Sequence, residues 1–257
     1  MIQKRDYRQY FFVIRQLVKR ELKRKYSRSY LGVVWSVLNP LLSMIVMSFI
    51  FSMMFKRNIE NYPLYLLSGT MTWSFFTGAT NTAMTAIVDN RGMLLKIKFP
   101  LMIFPLARIY TSVVNLGYTF IAYFIVFAFS QVPLSKKMIM TPVILLLMLL
   151  FIIGMSYILS VTYVFFGDMK HLYSVILQVW MYCSAIFYPV EAVPEFMQVI
   201  IKNNPIYNYI ACVRKCMLYQ EMPNLNEIIL MFVWGIGMYT VGSIIFKKSK
   251  NKLLRFI

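Results

Sequence analysis

The chain has 257 residues, of which 60% are hydrophobic and only 14% are charged. Soluble domains average about 45–50% apolar and about 25% charged residues, so this composition excludes an ordinary water-soluble globular domain. The net charge of +18 would suit a nucleic-acid-binding protein, but the sequence offers no basic soluble domain to make such contacts, and we predict no nucleic acid partner.

The first predicted element is an amphipathic helix within the N-terminal segment 1–30. Aromatic and aliphatic residues recur from Tyr7 to Leu22 at steps of three and four, with lysines and arginines between them. A basic helix of this kind lies flat in the membrane interface. Two interpretations stay open, a simple anchor on anionic lipid or an element that also contributes to function. The segment has no apolar core of signal-peptide length, so we expect it to be retained.

Six uncharged stretches follow, and each is long enough to form a membrane-spanning helix. A helix needs roughly 20 residues to cross a hydrocarbon core about 30 Å thick. Their uniform apolarity argues against barrel strands, which alternate polar and apolar residues. The third span begins near Leu101 and includes Arg108, which we expect to be ion-paired or to reach the membrane surface. The uncharged stretches are 33–55, 63–88, 109–135, 138–167, 172–190 and 228–246.

The segment between the fifth and sixth spans predicts short re-entrant helices. Its two apolar pieces, 194–201 and 205–218, are too short to cross a membrane. Such pieces enter the membrane and return where other parts of the protein cover their ends. The predicted fold is therefore an all-α membrane protein with an interfacial segment, one six-helix transmembrane domain at 31–246 with a re-entrant segment at 191–218, and a basic tail at 247–257.

The distribution of basic residues predicts that both termini are cytoplasmic. Nineteen of the 27 lysines and arginines lie in the first 30 residues, in the loop 89–98, at Lys170 and in the C-terminal tail. The loops on the opposite side hold seven. Positive charge is concentrated on the cytoplasmic side of membrane proteins, which sets the predicted orientation.

The sequence lacks the patterns that would make the chain an enzyme. It contains no Gly-Lys-Ser/Thr phosphate loop, so we expect it not to hydrolyse ATP by that route. Its three cysteines and single histidine form neither a disulfide framework nor a zinc site. Asp168 and His171 lie three residues apart, and we interpret them as part of a cytoplasmic turn that contacts a partner. No catalytic or metal-binding residue is predicted.

The order of short motifs along the chain resembles the ABC-type permeases that export polysaccharides, O-antigens and teichoic acids. The motifs are YLGVVWSVLNPL at 30–41, KIKFP at 96–100, PLA at 105–107, FGD at 166–168, SAIFYP at 184–189 and NP at 204–205, with Arg214 downstream. Two positions depart from the family pattern, since relatives often have Arg where Gly167 stands and Pro where Ala185 stands.

The resemblance implies a half-transporter of six spans in the bacterial cytoplasmic membrane. Such a chain dimerises and binds two copies of a separate ATPase, which uses ATP and Mg, while the chain itself binds no cofactor. It moves an undecaprenyl-linked polymer outward. A conduit wide enough for a polymer also forms more easily between two copies than inside one six-helix bundle, which favours a homodimer.

Three groups of residues are predicted to carry function. The cytoplasmic loop 89–98 joins two spans directly, so we expect it to couple ATP hydrolysis to transport, with the turn at 168–172 as a second contact. Lys25 and Arg28 lie where the interfacial helix meets the first span, and we expect them to bind the substrate pyrophosphate. Aromatic residues on the first and fifth spans are predicted to line the conduit. The coupling candidates are Asp89, Arg91, Met93, Leu94, Leu95, Asp168 and His171, and the conduit candidates are Phe49, Phe51, Phe55, Trp180, Tyr182 and Phe187.

Two other classes of function are the alternatives. A membrane enzyme of lipid-linked glycan assembly would need clustered carboxylates or histidines, whereas the nine acidic residues are spread singly. An ATP-independent channel would need polar residues repeated along one helix face. The sequence analysis finds neither pattern, so the exporter is preferred.

Overall fold

The computed structural model describes residues 7–27, 29–55, 59–96 and 100–256, and every regular element in these ranges is helical. This confirms the all-α prediction. The α-helices in chain order are α1 (Tyr7–Tyr26), α2 (Trp35–Phe55), α3 (Tyr62–Asp89), α4 (Arg91–Lys96), α5 (Ile103–Ala128), α6 (Thr141–Phe165), α7 (Met169–Tyr182), α8 (Glu195–Lys202), α9 (Pro205–Arg214) and α10 (Leu225–Phe256).

Four helical segments of the described chain are long and apolar enough to cross a membrane. They correspond to the first, third, fourth and sixth predicted spans. Helix α3 has 28 residues, but its many hydroxyl and amide side chains lower its hydropathy, and α7 has only 14 residues. The six crossings that the sequence predicts therefore depend on α3 and α7. The four segments are Gly32–Phe51, Ile103–Ala128, Lys136–Phe165 and Leu225–Phe256.

The last two predicted spans have different bounds in the structure. Helix α7 ends at Tyr182, whereas the predicted span continues to residue 190. The chain leaves the helix there and reaches Ala185, which has a left-handed φ of +44°. Helix α10 continues to Phe256 and so includes most of the predicted basic tail. Leu253 in this extension is fully buried against the ends of α3 and α6, which explains why the helix persists.

Helices α6 and α10 pack backbone to backbone. A Cβ atom at Gly154 would lie 2.1 Å from the carbonyl oxygen of Met238, and one at Gly242 would lie 2.2 Å from the carbonyl oxygen of Gly154. No side chain larger than a hydrogen fits such an approach, and small residues are a common means of close helix packing in membranes. These two glycines set the distance between α6 and α10.

Helix α3 lies at the centre of the bundle, where it contacts α2, α5, α6, α7 and α9. Its inner face includes Phe76, Ala79 and Ala83, which are completely buried. Helices α8 and α9 lie in the segment for which the sequence predicts short apolar pieces, and one turn of π-helix, Lys215–Tyr219, follows α9. The face of α3 toward α2 and α5 carries hydroxyl side chains and is only partly covered, which leaves a groove between these three helices.

Candidate functional site

Helix α1 is docked onto the helical bundle. Leu17 and Val18 are buried against Ala86, Phe104 and Ala107, at the end of α3 and the beginning of α5. Burial of this apolar face fixes where α1 lies, so contact with anionic lipid is not the only force that holds it. Helix α1 is therefore packed on the bundle as well as suited to the membrane interface, and whether it also contributes to function stays a prediction.

Three polar contacts continue this docking along α1. The guanidinium of Arg20 donates to Asn90 Oδ1 at 2.7 Å, and Lys25 Nζ donates to Asn115 Oδ1 at 3.1 Å. Between them, Glu21 forms an ion pair with Arg108. Helix α1 is thus tied to the residue after α3 and to two levels of α5.

Arg108 is the centre of a charge cluster that joins three helices. Besides Glu21, it binds the carboxylate of Asp89 at the end of α3, with 3.0 Å between Nη2 and Oδ2. The side chain of Arg108 is 10% exposed and that of Glu21 is 13% exposed, so this pair is largely withdrawn from water. Arg108 is predicted to be paired or to reach the membrane surface, and the structure shows pairing.

The predicted coupling loop is a short helix packed beneath α1. A single residue, Asn90, separates α3 from α4. Met93 and Leu94 are partly buried against the apolar cluster that includes Leu17 and Val18, and Leu94 also contacts the cluster around Leu253. Met93 and Leu94 therefore contact other residues of this chain and remain partly accessible at its surface.

Two acidic coupling candidates have different surroundings. Asp89 accepts from Thr85 at 2.8 Å in addition to its ion pair with Arg108, and its side chain is still 45% exposed. Asp168 is exposed in the turn before α7, His171 in the first turn of α7 and Arg91 at the start of α4. A partner can therefore reach all four of these side chains, and their role in coupling stays a prediction.

A groove with a mainly apolar lining and a smaller number of polar side chains lies between α2, α3 and α5. It consists of two adjoining cavities of about 530 Å³ and 400 Å³, which share Lys25, Gly78, Ser112 and Asn115 in their walls. On the α3 wall, a hydroxyl residue or a glycine recurs at every fourth position. The repeating residues are Thr70, Ser74, Gly78 and Thr82.

The sequence predicts no helix with polar residues repeated along one face, and the α3 repeat shows that this prediction is wrong. The stretch 63–88 has no charge, and threonine and serine are only weakly polar when their hydroxyls bond to carbonyls of their own helix. The signal was nevertheless present as hydroxyl or glycine residues at intervals of four. Lys25, predicted to bind pyrophosphate, lies in the walls of both cavities.

The aromatic conduit candidates separate into different environments. Phe51 and Phe187 stack with their ring centroids 5.6 Å apart, and Phe187 lines the larger cavity. Trp180 is partly buried and donates from Nε1 to an amide oxygen of α9 at 2.8 Å. Phe49 and Tyr182 are exposed and do not line either cavity. One pair of the predicted aromatics is therefore brought together at the groove.

The loop after α7 is held through its carbonyl oxygens. Arg214 donates to the carbonyls of Ala185 at 2.9 Å and Ile186 at 2.8 Å. Tyr62 donates to the carbonyl of Phe187 at 2.9 Å. In addition, Tyr65 donates to the carbonyl of Tyr188 at 2.7 Å. Side chains of α3 and α9 thus fix the backbone that presents the Phe187 ring to the groove.

Comparison with known proteins decides the family. The sequence profile of ABC-2 type transporters matches residues 13–218, which is most of the chain. The chain belongs to the ABC-2 type transporter family. It is 26% identical over 256 residues to the O-antigen export system permease protein RfbA of Myxococcus xanthus, with 98% of each chain covered. It is 27% identical over 242 residues to the RfbA protein of Klebsiella pneumoniae, with 94% of this chain and 93% of that protein covered.

A more distant relative is the polysialic acid transport protein KpsM of Escherichia coli. It is 21% identical over 217 residues, with 80% of this chain and 81% of that protein covered. The predicted resemblance to polysaccharide export permeases is confirmed by the family and by the names of these relatives.

Some predicted site residues of this ABC-2 transporter lie outside the described parts. Arg28 is outside the described residues, and so are the side chains of Leu95 and Phe55. At Gly167, one of the two positions predicted to depart from the family pattern, a Cβ would meet no atom within 4 Å. At Ala185, the other such position, the φ of +44° is incompatible with a proline ring, which fixes φ near −65°.

Sequence reasoning about this ABC-2 transporter also missed several structural residues. Glu21 pairs with Arg108, 87 positions away, and nothing in the spacing of the acidic residues singles it out. Arg214 is a motif residue in the sequence, but its contacts with Tyr65 of α3 and with the carbonyls of Ala185 and Ile186 come from segments distant in the chain. Such long-range contacts have no local sequence signal.

Proposed function

We propose that this chain is the membrane-spanning subunit of an ATP-driven exporter that moves a lipid-linked surface polysaccharide outward across the bacterial cytoplasmic membrane. The observation that carries the proposal is the similarity to O-antigen export permeases over 94–98% of the chain. A teichoic acid attached to the same kind of lipid carrier would require the same kind of exporter.

The proposed topology has six crossings with both termini in the cytoplasm. Helix α3 is long enough to cross in spite of its hydroxyl side chains. Helix α7 with the loop that follows it supplies the fifth crossing, because protein side chains satisfy the carbonyls of that loop. The basic residues of α1, α4 and the end of α10 lie at one end of the bundle, which supports a cytoplasmic location for that end.

The proposed assembly contains two copies of this chain and two copies of a separate ATPase. ATP and Mg belong to the ATPase, and the exposed residues near α4 and in the turn after α6 form its contact. Because α4 packs against α1 and follows α3 directly, a displacement of α4 by the ATPase moves both helices. Lys25, together with Arg28, binds the pyrophosphate of an undecaprenyl-linked substrate, and the other basic residues of α1 contact anionic lipid.

The coupling role is tested by replacing the apolar residues of α4. Met93→Ala with Leu94→Ala should reduce polymer export by intact cells about tenfold or more, and in the purified complex the ATPase should dissociate or hydrolyse ATP without transport. The variant should remain inserted and dimeric. The measurements are surface polymer on intact cells, ATPase co-purification and ATP hydrolysis.

Leu17→Ala is the matched control, because it removes an apolar contact with the same cluster from the α1 side. If Leu17→Ala uncouples the complex equally, the effect comes from α1 packing. Normal export and normal ATPase binding in the double variant would contradict the coupling role.

A further inference from the structure

We propose that the groove between α2, α3 and α5 is a carbohydrate-binding site that takes the first sugars of the lipid-linked glycan, with the pyrophosphate at its Lys25 end. The inference rests on the proposed function, which supplies a lipid-linked glycan as substrate, and adds where and how its sugars are held within one copy of the chain.

The α3 wall of the groove presents hydrogen-bond acceptors. The hydroxyl of Thr70 donates to the carbonyl of Leu66 at 2.8 Å, and the hydroxyl of Ser74 donates to that of Met71 at 3.1 Å. A hydroxyl carries one hydrogen and two lone pairs, so each of these groups retains acceptor capacity after donating to its own helix. A ligand rich in O–H donors matches such a wall.

The α5 wall also presents hydroxyl oxygens as hydrogen-bond acceptors. Thr119 donates its hydroxyl hydrogen to the carbonyl of Leu116 at 2.8 Å, and Ser112 donates to the carbonyl of Arg108 at 3.3 Å. Both side chains line the larger cavity. An anion placed against the hydroxyls of these two walls would face oxygen lone pairs, because their hydrogens are already donated to backbone carbonyls. The middle of the groove therefore suits neutral sugars better than phosphate.

Positive charge is concentrated at one end of the groove. Lys25 lines both cavities. Arg108 lines the smaller one, but Glu21 and Asp89 balance its charge. We place the pyrophosphate at Lys25, because this cation borders both cavities, and the sugars toward Phe187 at the other end.

The size and aromatic content of the groove also fit sugars. The larger cavity, at about 530 Å³, falls within the range of about 300–1,000 Å³ typical of small-molecule sites. Trp35, Trp73 and Phe187 contribute to its walls. Apolar ring faces combined with a few polar groups are the common composition of ligand sites, and the C–H faces of sugar rings pack on aromatic rings.

The hydroxyl side chains of the groove favour water or a polar ligand in it over lipid acyl chains. Ser74 and Thr82 are exposed on a helix that the proposed topology places across the bilayer. The hydroxyls of Ser74 and Thr82 donate to carbonyls of their own helix, so only their remaining lone pairs are open to the groove, where water or a sugar hydroxyl can donate to them. Water fills the groove between transport cycles, and sugar hydroxyls replace it when substrate binds.

The experiment measures lipid binding to the full permease reconstituted in nanodiscs. The probes are undecaprenyl pyrophosphate alone and undecaprenyl pyrophosphate carrying one N-acetylglucosamine. The wild-type protein should bind the glycosylated lipid about tenfold more tightly. Thr70→Val with Ser74→Ala should reduce this preference to about twofold or less, because two acceptors are lost at about threefold each.

Thr77→Val is the matched control. Thr77 is on the same helix, and its hydroxyl donates to the carbonyl of Trp73 at 3.1 Å, as Thr70 does to Leu66. It lines neither cavity, so its substitution should leave the preference for the glycosylated lipid unchanged.

A second measurement tests the groove without any lipid ligand. In a Cys183→Ser background, Ser74→Cys should react with a charged, water-soluble thiol reagent, and Ile45→Cys on the exposed apolar face of α2 should not. Lack of reaction at Ser74→Cys would overturn the proposal, since it would mean that acyl chains fill the groove.

The binding outcomes separate the two proposals. If the wild-type protein bound both lipids equally, or if Thr70→Val with Ser74→Ala retained the preference, the carbohydrate site would be refuted and the proposed function would stand. If the wild-type protein bound neither lipid, the proposed export of a lipid-linked glycan would itself be refuted.

Discussion

The charge cluster around Arg108 yields a ranked stability prediction. Arg108→Gln leaves the carboxylate of Glu21 without its cation, and that side chain is only 13% exposed. Breaking a buried ion pair from one side costs about 3–5 kcal/mol. At about 2–4 °C per kcal/mol for a chain of this size, a loss of about 3 kcal/mol lowers the thermal midpoint by about 6–12 °C.

The acidic partners should rank below Arg108. Glu21→Gln leaves Arg108 still bound to Asp89, so we expect an intermediate loss. Asp89→Asn should cost about 0–1 kcal/mol, because the Asp89 side chain is 45% exposed and water screens its contribution. The double variant Glu21→Gln with Arg108→Gln should recover part of the loss, because no buried charge then lacks a partner.

The assay is the temperature at which half of the purified protein in detergent remains monodisperse after heating. All variants are compared in one detergent and one salt concentration, since exposed ion pairs weaken with salt. Equal losses for Asp89→Asn and Glu21→Gln would refute the reasoning from burial. A double variant no more stable than Arg108→Gln alone would refute the role of the uncompensated carboxylate.

Three further predictions concern packing, the loop after α7 and topology. Gly154→Ala should destabilise the purified protein by about 1–3 kcal/mol, because its Cβ would overlap the α10 backbone. The control is Gly117→Ala, which should not destabilise the protein because a Cβ there meets no atom within 4 Å. Arg214→Gln should speed hydrogen exchange in the loop after α7, and an unchanged rate would contradict its tethering role. In intact cells, a single cysteine at Gln131 should react with an impermeant reagent and one at Asn251 only after lysis; the reverse pattern would invert the proposed orientation.

Local sequence patterns predict the helical class and four spans of this protein well. Long apolar runs such as 138–167 have few structural alternatives, because backbone groups in a membrane must be hydrogen-bonded within the segment. The end of α7 could not be predicted in this way. It depends on Tyr62, Tyr65 and Arg214, which reach the loop from distant parts of the chain and make an irregular backbone tolerable.

The candidate site was harder to predict than the fold. Aromatic residues are large and numerous, yet of the predicted conduit aromatics whose side chains the structure describes, only Phe51 and Phe187 stack beside the groove. The walls of the groove are built from small hydroxyl residues such as Thr70 and Ser74, whose significance depends on which neighbouring helix covers them. Helix-to-helix arrangement is set by packing between distant segments, and one sequence does not reveal it.

The tethered loop after α7 has a mechanical consequence. Carbonyl oxygens of Ala185, Ile186 and Phe187 are bound to side chains of α3 and α9, so the C-terminal end of α7 is a fixed pivot. The N-terminal end of α7 follows an exposed turn. A force applied at that turn would therefore tilt α7 about its C-terminal end, and the largest displacement would occur at the turn itself, which the proposed topology places at the cytoplasmic surface of the membrane.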